Sequence, residues 1–373
     1  MKQIGILTMH RPLNFGCALQ AFATQFIIER LGYHARIIDY LYPKASHGGR
    51  QSLKHSIFHL GNMMLAFLFT GRDFWRREKR YASFLAQKLH MTEAYQSEEL
   101  LKAHCPDFEA FCMGSDQIWN PNFTGKDLSF LGAFVPNGKK IFSYASSFGI
   151  SELTDEQVKT YGEHLGRFAA LSVRERQGQK ILERQLGLKS QRVLDPTLLL
   201  NASAWEEFSA PVAVQSPYIL CYGAEGPGLS LVDKAVHLAR QLKKSGGKPY
   251  KVVHIHGRPW QRLSSKAYYV FDTGPEEFLS LVRNASCILT TSYHGTCFSV
   301  NFGIPFWSFV REGSVDTRIP DLLELLGLKE RVRHFGDNVD DIGELQGNAQ
   351  AILELERRSS IDYLQCTLKN CFN

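Results

Sequence analysis

The sequence predicts an α/β protein made of two doubly wound (Rossmann-like) domains that face a cleft. Its length of 373 residues is greater than that of a typical single domain and is consistent with two domains of ordinary size. In both halves, short apolar runs of strand length alternate with helical patterns, which is typical of parallel sheets covered by helices on both faces. A stretch rich in Ser, Ala and Pro at 200–216 interrupts this alternation and marks the predicted linker.

The first domain is predicted to span residues 1–205. It opens with an apolar strand at 3–8, and a helix follows over 17–32 because its apolar residues recur at helical spacing. Gly32 is a residue type that ends helices, and the next strand is predicted at 34–40. Further strands are predicted at 108–114, 139–145, 169–173 and 192–195.

The second domain is predicted over residues 216–343 and repeats the alternation. The segment 344–373 reads as a helix that can pack back across the first domain. Because ligands of doubly wound sheets bind beyond the carboxyl ends of the strands, functional residues of both domains should meet in one cleft. Strands of this domain are predicted at 218–223, 250–256, 287–292 and 305–310, with helices near 229–245 and 275–284 and from about residue 295.

Composition narrows the possible functions. Hydrophobic residues make up 44% of the chain and charged residues 21%, so each half can form a packed interior. The net charge of +6 suits an anionic substrate or an anionic membrane surface, but it is too small to indicate a nucleic-acid partner. The eight cysteines are scattered, and the first residues resemble a strand rather than a signal peptide, so a cytoplasmic location is predicted.

The first domain contains an insertion at about 46–105. Its apolar run at 56–71 is shorter than the roughly 20 residues that span a bilayer, and a basic, aromatic segment at 72–84 follows. One interpretation is a core helix followed by a solvated basic helix. The other is an element that lies on an anionic membrane surface. Its cations are Arg72, Arg76, Arg77, Lys79 and Arg80, interleaved with Phe74, Trp75 and Tyr81.

Polar residues follow several of the predicted strands. Asn14 and Gly16 come after the first strand, at a helix start whose backbone N–H groups can face an anion. Since neither a G-x-G-x-x-G nor a Walker sequence is present, a plain strand-to-helix turn is the simpler interpretation.

A second group follows the strand at 108–114 and consists of Asp116, Gln117, Trp119 and Asn120. An aromatic ring beside amide and carboxylate groups suits a bound sugar. The alternative is an Asx-type turn with Trp119 in the core. Residue types alone do not distinguish these two interpretations.

Arg174 stands at the end of the strand predicted at 169–173. A guanidinium in that position needs an anionic partner, because an unpaired buried charge is costly. The partner is either Asp195, which gives a structural ion pair, or a ligand phosphate or carboxylate held bidentately.

His294 follows the strand at 287–292, within "TTSYHGTCFS". The helix that begins near Gly295 directs its N-terminal dipole, with Ser292 and Thr296, toward the cleft. A histidine at this point is either a hydrogen-bonded cap or a proton-transfer group beside an anionic ester.

Six segments taken in order resemble the polysaccharide pyruvyltransferase family. The similarity runs from residue 3 to about residue 327, while residues 46–105 carry little of it. Each segment alone is weakly specific, but six in the same order indicate the family. The segments are "GILTMHRPLNFGCALQAFA", "GSDQIWNP", "SYASSFG", "LSVRERQG", "VLDPTLLL" and "TTSYHGTCFSVNFGIPF".

This resemblance implies a fold similar to the B-type glycosyltransferase fold. It also implies transfer of the pyruvyl group of phosphoenolpyruvate onto two hydroxyls of a sugar, with formation of a cyclic ketal and release of phosphate. No metal or redox cofactor is implied. By the same resemblance, His294 corresponds to the family's catalytic histidine and Arg174 to an arginine that grips the donor.

The chain departs from one form of the family, in which an arginine stands two residues before the histidine; here that residue is Ser292. A donor with a phosphate and a carboxylate needs more than one cation, so another residue must substitute, and Arg318, His254, His256 and Arg258 are candidates. The predicted donor site comprises Arg174, Ser292, Gly295, Thr296, Arg318 and His254, and the predicted acceptor site Asn14, Asp116, Gln117, Trp119 and Asn120.

The expected acceptor is a sugar of a capsule or exopolysaccharide, or of its lipid-linked oligosaccharide precursor. A lipid-linked acceptor would place the enzyme on the inner face of the membrane as a peripheral protein. The first alternative function is that of a nucleotide-sugar glycosyltransferase with a similar fold. The second is that of a non-catalytic saccharide-binding protein.

Overall fold

The computed structural model describes residues 2–41, 53–215, 217–224, 228–255, 261, 263–343, 345 and 347–372, and within 53–70 it describes the backbone alone. In these residues two parallel sheets, one in each half of the chain, carry helices on their faces. The predicted fold class is confirmed: both domains are doubly wound, and they face a common cleft.

The first sheet has five strands. They are β1 (Gln3–Leu7), β2 (His34–Tyr40), β3 (Met91–Tyr95), β4 (Ala110–Met113) and β5 (Lys140–Ser143), in the spatial order β3-β2-β1-β4-β5. The helices of this half are α1 (Phe15–Arg30), α2 (Leu53–Lys88), α3 (Glu98–Ala103), α4 (Pro121–Thr124), α5 (Asp155–Leu165), α6 (Arg176–Lys180) and α7 (Ala202–Glu206). A short pair, β6 (Ser172–Val173) and β7 (Gln191–Arg192), forms a separate sheet.

The second sheet has six strands. They are β8 (Tyr218–Tyr222), β9 (Lys251–Ile255), β10 (Tyr268–Val270), β11 (Cys287–Thr290), β12 (Phe306–Val310) and β13 (Val332–His334), in the order β10-β9-β8-β11-β12-β13. The remaining helices are α8 (Leu231–Lys244), α9 (Pro275–Arg283), α10 (Tyr293–Phe302), α11 (Arg318–Leu325) and α12 (Ala349–Phe372).

The chain reverses its direction of winding between β1 and β4 in one sheet and between β8 and β11 in the other. At these two points the connections diverge to opposite faces, which leaves a crevice beyond the carboxyl ends of the strands. Leu7 pairs with Met113, and Thr290 pairs with Tyr222, so the residues that follow these four strands lie at neighbouring positions.

Helices α1 and α10 begin at this crevice and are buried on nearly every side. Their apolar residues are not confined to one stripe, as is typical of helices enclosed in a core. Asn14 caps α1 by accepting from Gly16 N at 2.9 Å, and Ser292 caps α10 by accepting from Gly295 N at 3.2 Å. Both helix N-termini therefore open toward the space between the domains.

Aromatic rings join the two halves into a continuous core. Phe15, the first residue of α1, stacks on Phe278 with ring centroids 4.5 Å apart and on Tyr81 at 5.6 Å. Arg80 adds ion pairs with Asp272 and Glu277, each at 3.1 Å. These contacts fix the start of α1 against the second domain.

The insertion contains one continuous helix where the first interpretation expected two. Backbone from Leu53 to Lys88 forms one helix, α2, because the segment contains no proline and isolated glycines do not end a helix. Residues 46–52 lie outside the described residues. Tyr81 is buried in the core, so its assignment to a membrane-facing surface was wrong. Among the described residues, no helix is long and apolar enough to cross a membrane.

Two of the predicted cations in this segment are partly buried and bind other parts of the chain rather than extending from an exposed face. Arg77 donates to the carbonyl oxygen of Leu13 at 2.7 Å, and Arg80 makes the ion pairs described above. Arg72, Arg76 and Lys79 remain exposed, together with Phe74 and Trp75.

The predicted strands at 169–173 and 192–195 are shorter than expected. They form β6 and β7, and an isolated bridge between Phe142 of β5 and Ala170 connects the segment of β6 to the first sheet. The linker predicted at 200–216 contains α7, which Asn201 caps and whose Trp205 is fully buried. Sequence patterns missed β3, β10 and β13, which are edge strands with weak apolar patterns because much of each strand is exposed.

Helix α12 packs against the first half of the chain. Phe372 stacks on Tyr33 with ring centroids 5.3 Å apart, and Tyr363 donates to the carbonyl oxygen of Ser143 at 3.2 Å. Ser360 accepts from the backbone N–H of Leu194 at 2.9 Å.

Candidate active site

A cavity of about 550 Å³ lies between the domains, beyond the carboxyl ends of β1, β4, β8 and β11. It brings together residues from loops more than 300 positions apart in the sequence, from Met9 to Arg318. The predicted site residues that line it are Asn14, Asp116, Gln117, Ser292, His294 and Arg318.

His294 lies in the first turn of α10, and its imidazole lines the cavity. Its Nε2 stands 3.5 Å from Oδ2 of Asp195, and this carboxylate is fixed by Thr197, whose backbone N–H and hydroxyl donate to Oδ1 at 3.0 and 2.7 Å. The ring also packs so closely against Gly16 that a Cβ added at residue 16 would overlap it. The result is a histidine held between a carboxylate and the N-terminus of α1.

Asp195 is ionised in this environment. Burial alone would raise the pKa of its carboxyl, but His294, Arg174 and Thr197 outweigh burial and hold the pKa well below its usual range. A permanent negative charge therefore lies next to His294.

Arg174 lies behind the cavity wall and bridges two carboxylates. Its Nη1 donates to Asp195 at 2.6 Å, its Nη2 donates to Asp116 at 2.9 Å, and its guanidinium stands 4.5 Å from the ring centroid of Tyr293. The side chain is fully buried and does not line the cavity. In this structure, Arg174 therefore positions two acidic residues and its guanidinium does not face the cavity, while the donor-gripping role implied by the family resemblance stays a prediction.

Asp116 connects this ion network to the cavity. Besides Arg174, it accepts from the Sγ of Cys17 at 3.2 Å, and its backbone adopts a left-handed φ of 77° that turns the chain after β4. Burial opposes ionisation of Asp116, but Arg174, His294 and Arg318 lower its pKa. Burial and the nearby Asp116 raise the pKa of Cys17 well above its usual value, so the thiol keeps its proton and donates.

Arg318 is a cation that lines the cavity directly. Asp316 holds its guanidinium through two hydrogen bonds of 2.8 and 2.5 Å, and in the amide orientation that satisfies its neighbours the oxygen of Gln117 accepts from Nη1 and Nη2 at 2.9 and 3.0 Å. Although burial would lower the pKa of Arg318, the bonds to Asp316 raise it. The positive charge is therefore permanent and the guanidinium has a fixed orientation, which suits recognition of a phosphate or carboxylate.

Two residues predicted to contact the acceptor lie elsewhere. Trp119 is fully buried, donates to the carbonyl oxygen of Phe130 at 3.2 Å and packs on Phe148, so its assignment to the acceptor site was wrong. Asn120 does not line the cavity, although its side-chain amide lies 2.8 Å from that of Gln117.

Three residues predicted to contact the donor are also displaced from the cavity. His254 is buried at the end of β9 against Tyr269. The Thr296 hydroxyl is bonded to Ser292 O and to Ser308 inside the domain, and Gly295 packs on Thr290 and Tyr222. His256 and Arg258 lie outside the described residues.

Sequence reasoning missed several residues of the site. Asp195 was considered only as a partner for Arg174, whereas it also lies beside His294. Cys17 and Tyr222 line the cavity but appear in the sequence as ordinary core residues. Phe123 lies in "NPNFTG", where its distance from the end of β4 gave no signal.

Among the residues that the structure describes, no group of three His, Cys, Asp or Glu side chains is arranged to hold a metal ion.

The fold and the cavity define a two-domain α/β protein with a fold of the B type, in which a histidine and a fixed arginine lie at the domain junction. The family model for polysaccharide pyruvyl transferase matches residues 14–313, which include every predicted site residue except Arg318. The chain belongs to the polysaccharide pyruvyl transferase family. A comparison with curated protein sequences gives no match.

Solved structures with similar folds are distant in sequence. A mutant of Thermobaculum terrenum O-GlcNAc transferase is 13% identical with a TM-score of 0.44; the match covers 100% of this chain and 66% of the other. Methanocaldococcus jannaschii UDP-GlcNAc 2-epimerase, in complex with UDP-GlcNAc and UDP, is 14% identical over 96% of this chain and 99% of its own, with a TM-score of 0.48. Escherichia coli ADP-heptose lipopolysaccharide heptosyltransferase II is 14% identical over 98% and 100%, with a TM-score of 0.41.

Proposed function

We propose that this protein transfers the pyruvyl group of phosphoenolpyruvate onto two hydroxyls of a sugar. The observation that carries the proposal is the meeting of His294, backed by the Asp195 carboxylate, with the fixed cation Arg318 in one interdomain cavity. A proton-transfer group and a permanent positive charge are what addition to an enol phosphate requires.

The donor is assigned to the side of the cavity formed by the second domain. Arg318 binds one anionic group of phosphoenolpyruvate, and the N-terminus of α10 at Ser292 supplies positive potential for the other. Arg318 thus takes the place of the arginine expected two residues before His294. Hydrogen bonds to Gln117 and Asp316 fix the orientation of its guanidinium.

The chemistry proceeds in two additions. A proton adds to the methylene carbon of the donor, the neighbouring carbon gains oxocarbenium character, and the first sugar hydroxyl attacks it while losing its proton to a base. The carbon–oxygen bond to phosphate then breaks, and the second hydroxyl closes the ketal as its proton is released. His294 is the residue placed to give and accept these protons, and such transfer contributes about 10²–10⁴-fold to the rate.

Donor identity is the direct test. Isothermal titration of the protein with phosphoenolpyruvate is expected to show saturable binding, whereas UDP-glucose and UDP-N-acetylglucosamine are expected to give none. Binding of a nucleotide sugar without phosphoenolpyruvate would identify a glycosyltransferase. Binding of glycans with neither donor would identify a saccharide-binding protein.

The acceptor is proposed to be a sugar of a surface polysaccharide or its lipid-linked precursor, which requires the enzyme to approach a membrane surface. Helix α2 supports this part of the proposal, because Arg72, Arg76 and Lys79 are exposed beside Trp75, which has 63% of its surface exposed. Each cation near an anionic surface contributes about 1 kcal/mol, so three give weak, salt-sensitive binding.

Membrane binding can be measured by co-sedimentation with phosphatidylglycerol-containing vesicles. The wild type is expected to pellet at low salt, and a variant with Arg72, Arg76 and Lys79 changed to Gln is expected to pellet much less. A matched control changes the exposed cations Arg240, Lys243 and Lys244 of α8 to Gln and should behave as the wild type does. Equal pelleting of all three proteins, or none, would contradict the proposal.

A further inference from the structure

The walls of the cavity differ in chemistry. The second domain contributes His294, Arg318 and the capped N-terminus of α10, which together suit an anion. The first domain contributes an apolar wall, which includes Met9, Pro12, Leu13 and Phe123, and beside it the polar residues Asn14, Cys17, Asp116 and Gln117. A small-molecule site that offers both polar groups and an apolar wall orients its ligand, because each face of the ligand matches one of them.

Phe123 and Leu13 are the prominent parts of this apolar wall. Phe123 is 42% exposed and Leu13 is 37% exposed, although most large apolar side chains of the described chain are buried. Both border the same cavity, so each adds exposed apolar area to it.

The backbone around each residue is held firmly. Asn120 accepts from the backbone N–H groups of Phe123 at 2.9 Å and of Thr124 at 3.0 Å, and its side chain accepts from Asn122 N at 3.0 Å. The carbonyl oxygen of Leu13 accepts from Arg77, a residue of α2. Rigid support of exposed apolar side chains is typical of a surface prepared for a ligand.

We infer that Phe123, with Leu13, is the acceptor platform: it binds the apolar C–H face of a hexopyranose and so directs the sugar's hydroxyl edge toward His294. This inference rests on the proposed function and adds the residues that select the acceptor. A pyranose ring has a face of C–H groups that packs on an aromatic ring, while its hydroxyls stay available for hydrogen bonds and for reaction. Asn120, predicted as a direct acceptor ligand, is then a positioning residue that acts through Phe123.

The platform can be tested without knowing the natural acceptor. The probes are methyl β-D-galactopyranoside, methyl α-D-glucopyranoside and methyl α-D-mannopyranoside, each examined by saturation-transfer NMR and titration. At least one probe is expected to receive saturation on its ring C–H protons from the wild type. Phe123→Ala is expected to weaken its binding about three- to tenfold, the range of an aromatic contact, and Phe123→Trp to retain it.

Phe74→Ala is the matched control, because Phe74 is also a phenylalanine with 40% of its surface exposed but does not line the cavity. It should bind the glycosides as the wild type does. The inference is overturned if Phe123→Ala binds as tightly as the wild type, if Phe74→Ala weakens binding equally, or if none of the three glycosides contacts the wild type.

Titration with phosphoenolpyruvate separates this inference from the proposed function. Wild type and Phe123→Ala should bind the donor equally, since Phe123 belongs to the apolar wall. If the wild type binds a glycoside through Phe123 but does not bind phosphoenolpyruvate, the proposed reaction fails and the platform stands. If it binds phosphoenolpyruvate and the glycoside results fail as described, the platform alone is wrong.

Discussion

Replacement of His294 by alanine is expected to reduce pyruvyl transfer about 10²–10⁴-fold, the usual contribution of a positioned proton-transfer group. The side chain borders the cavity, and its Nε2 lies 3.5 Å from Asp195. The measurement is the steady-state release of phosphate from phosphoenolpyruvate in the presence of acceptor.

The same substitution should leave folding nearly unchanged. Asp195 keeps its hydrogen bonds to Arg174 and Thr197 when the imidazole is removed, so no buried charge loses all of its partners. Thermal unfolding of His294→Ala should remain cooperative, with a midpoint close to that of the wild type.

His237 offers a matched control outside the cavity. It also forms an ion pair with an aspartate, at 2.8 Å from Asp340, but lies on α8 in the second domain. His237→Ala should retain full turnover. Retention of full turnover by His294→Ala would remove it from the mechanism, and loss of its cooperative unfolding would show that its main role is structural.

The part of the candidate site that depends on the topology of the fold could be predicted from the sequence. Asn14, Asp116 and His294 each follow an apolar strand, and the rule that ligands bind beyond the carboxyl ends of parallel strands was enough to place them together. A strand's end, however, does not fix the direction of every residue in the following turn. Trp119 turned inward to the core and Phe123 outward to the cavity, although both lie in the loop region that follows β4.

The network of Arg174 with Asp116 and Asp195 could not be predicted in full from the sequence, for a different reason. Arg174 required an anionic partner, and Asp195 was foreseen because it also follows a predicted strand. Asp116 lies 58 residues away from Arg174 and was interpreted as a sugar ligand or as part of an Asx-type turn, not as a partner of Arg174. Its contact with Arg174 depends on how three loops meet, and neither hydrophobic periodicity nor residue type reports that arrangement.

Arg174→Met is expected to lower the free energy of unfolding at pH 7 by about 3–5 kcal/mol, the usual cost of removing one partner from a buried ion pair. Methionine is similar in length but carries no charge, so Asp116 and Asp195 lose the cation that both contact. Urea denaturation followed by circular dichroism measures this change. As a control, Arg176→Met removes a surface ion pair with Glu324 and should cost no more than about 1 kcal/mol.

The pH dependence of the decrease in unfolding free energy shows whether the lost ion pairs cause it. In the wild type, the pKa values of Asp116 and Asp195 lie below that of an unfolded aspartate, about 3.9, so their pairing contributes stability at neutral pH that is lost in acid. In Arg174→Met the same buried carboxyls lose the cation, so their pKa values rise. Protonation then removes the free-energy cost of two buried negative charges that have lost this partner. The difference between the two proteins should therefore be large at pH 7 and should shrink as the pH falls toward 4.

Arg174→Lys distinguishes the structural role from the donor-gripping role implied by the family resemblance. A lysine keeps the charge but cannot reach both carboxylates with two fixed donors, so it should lose part of the stability and retain affinity for phosphoenolpyruvate. If the lysine variant instead unfolds as the wild type does and loses donor affinity, the guanidinium must turn into the cavity when the donor binds. The two outcomes differ in both measurements, and the closed network around Arg174, with its side chain fully buried, favours the first.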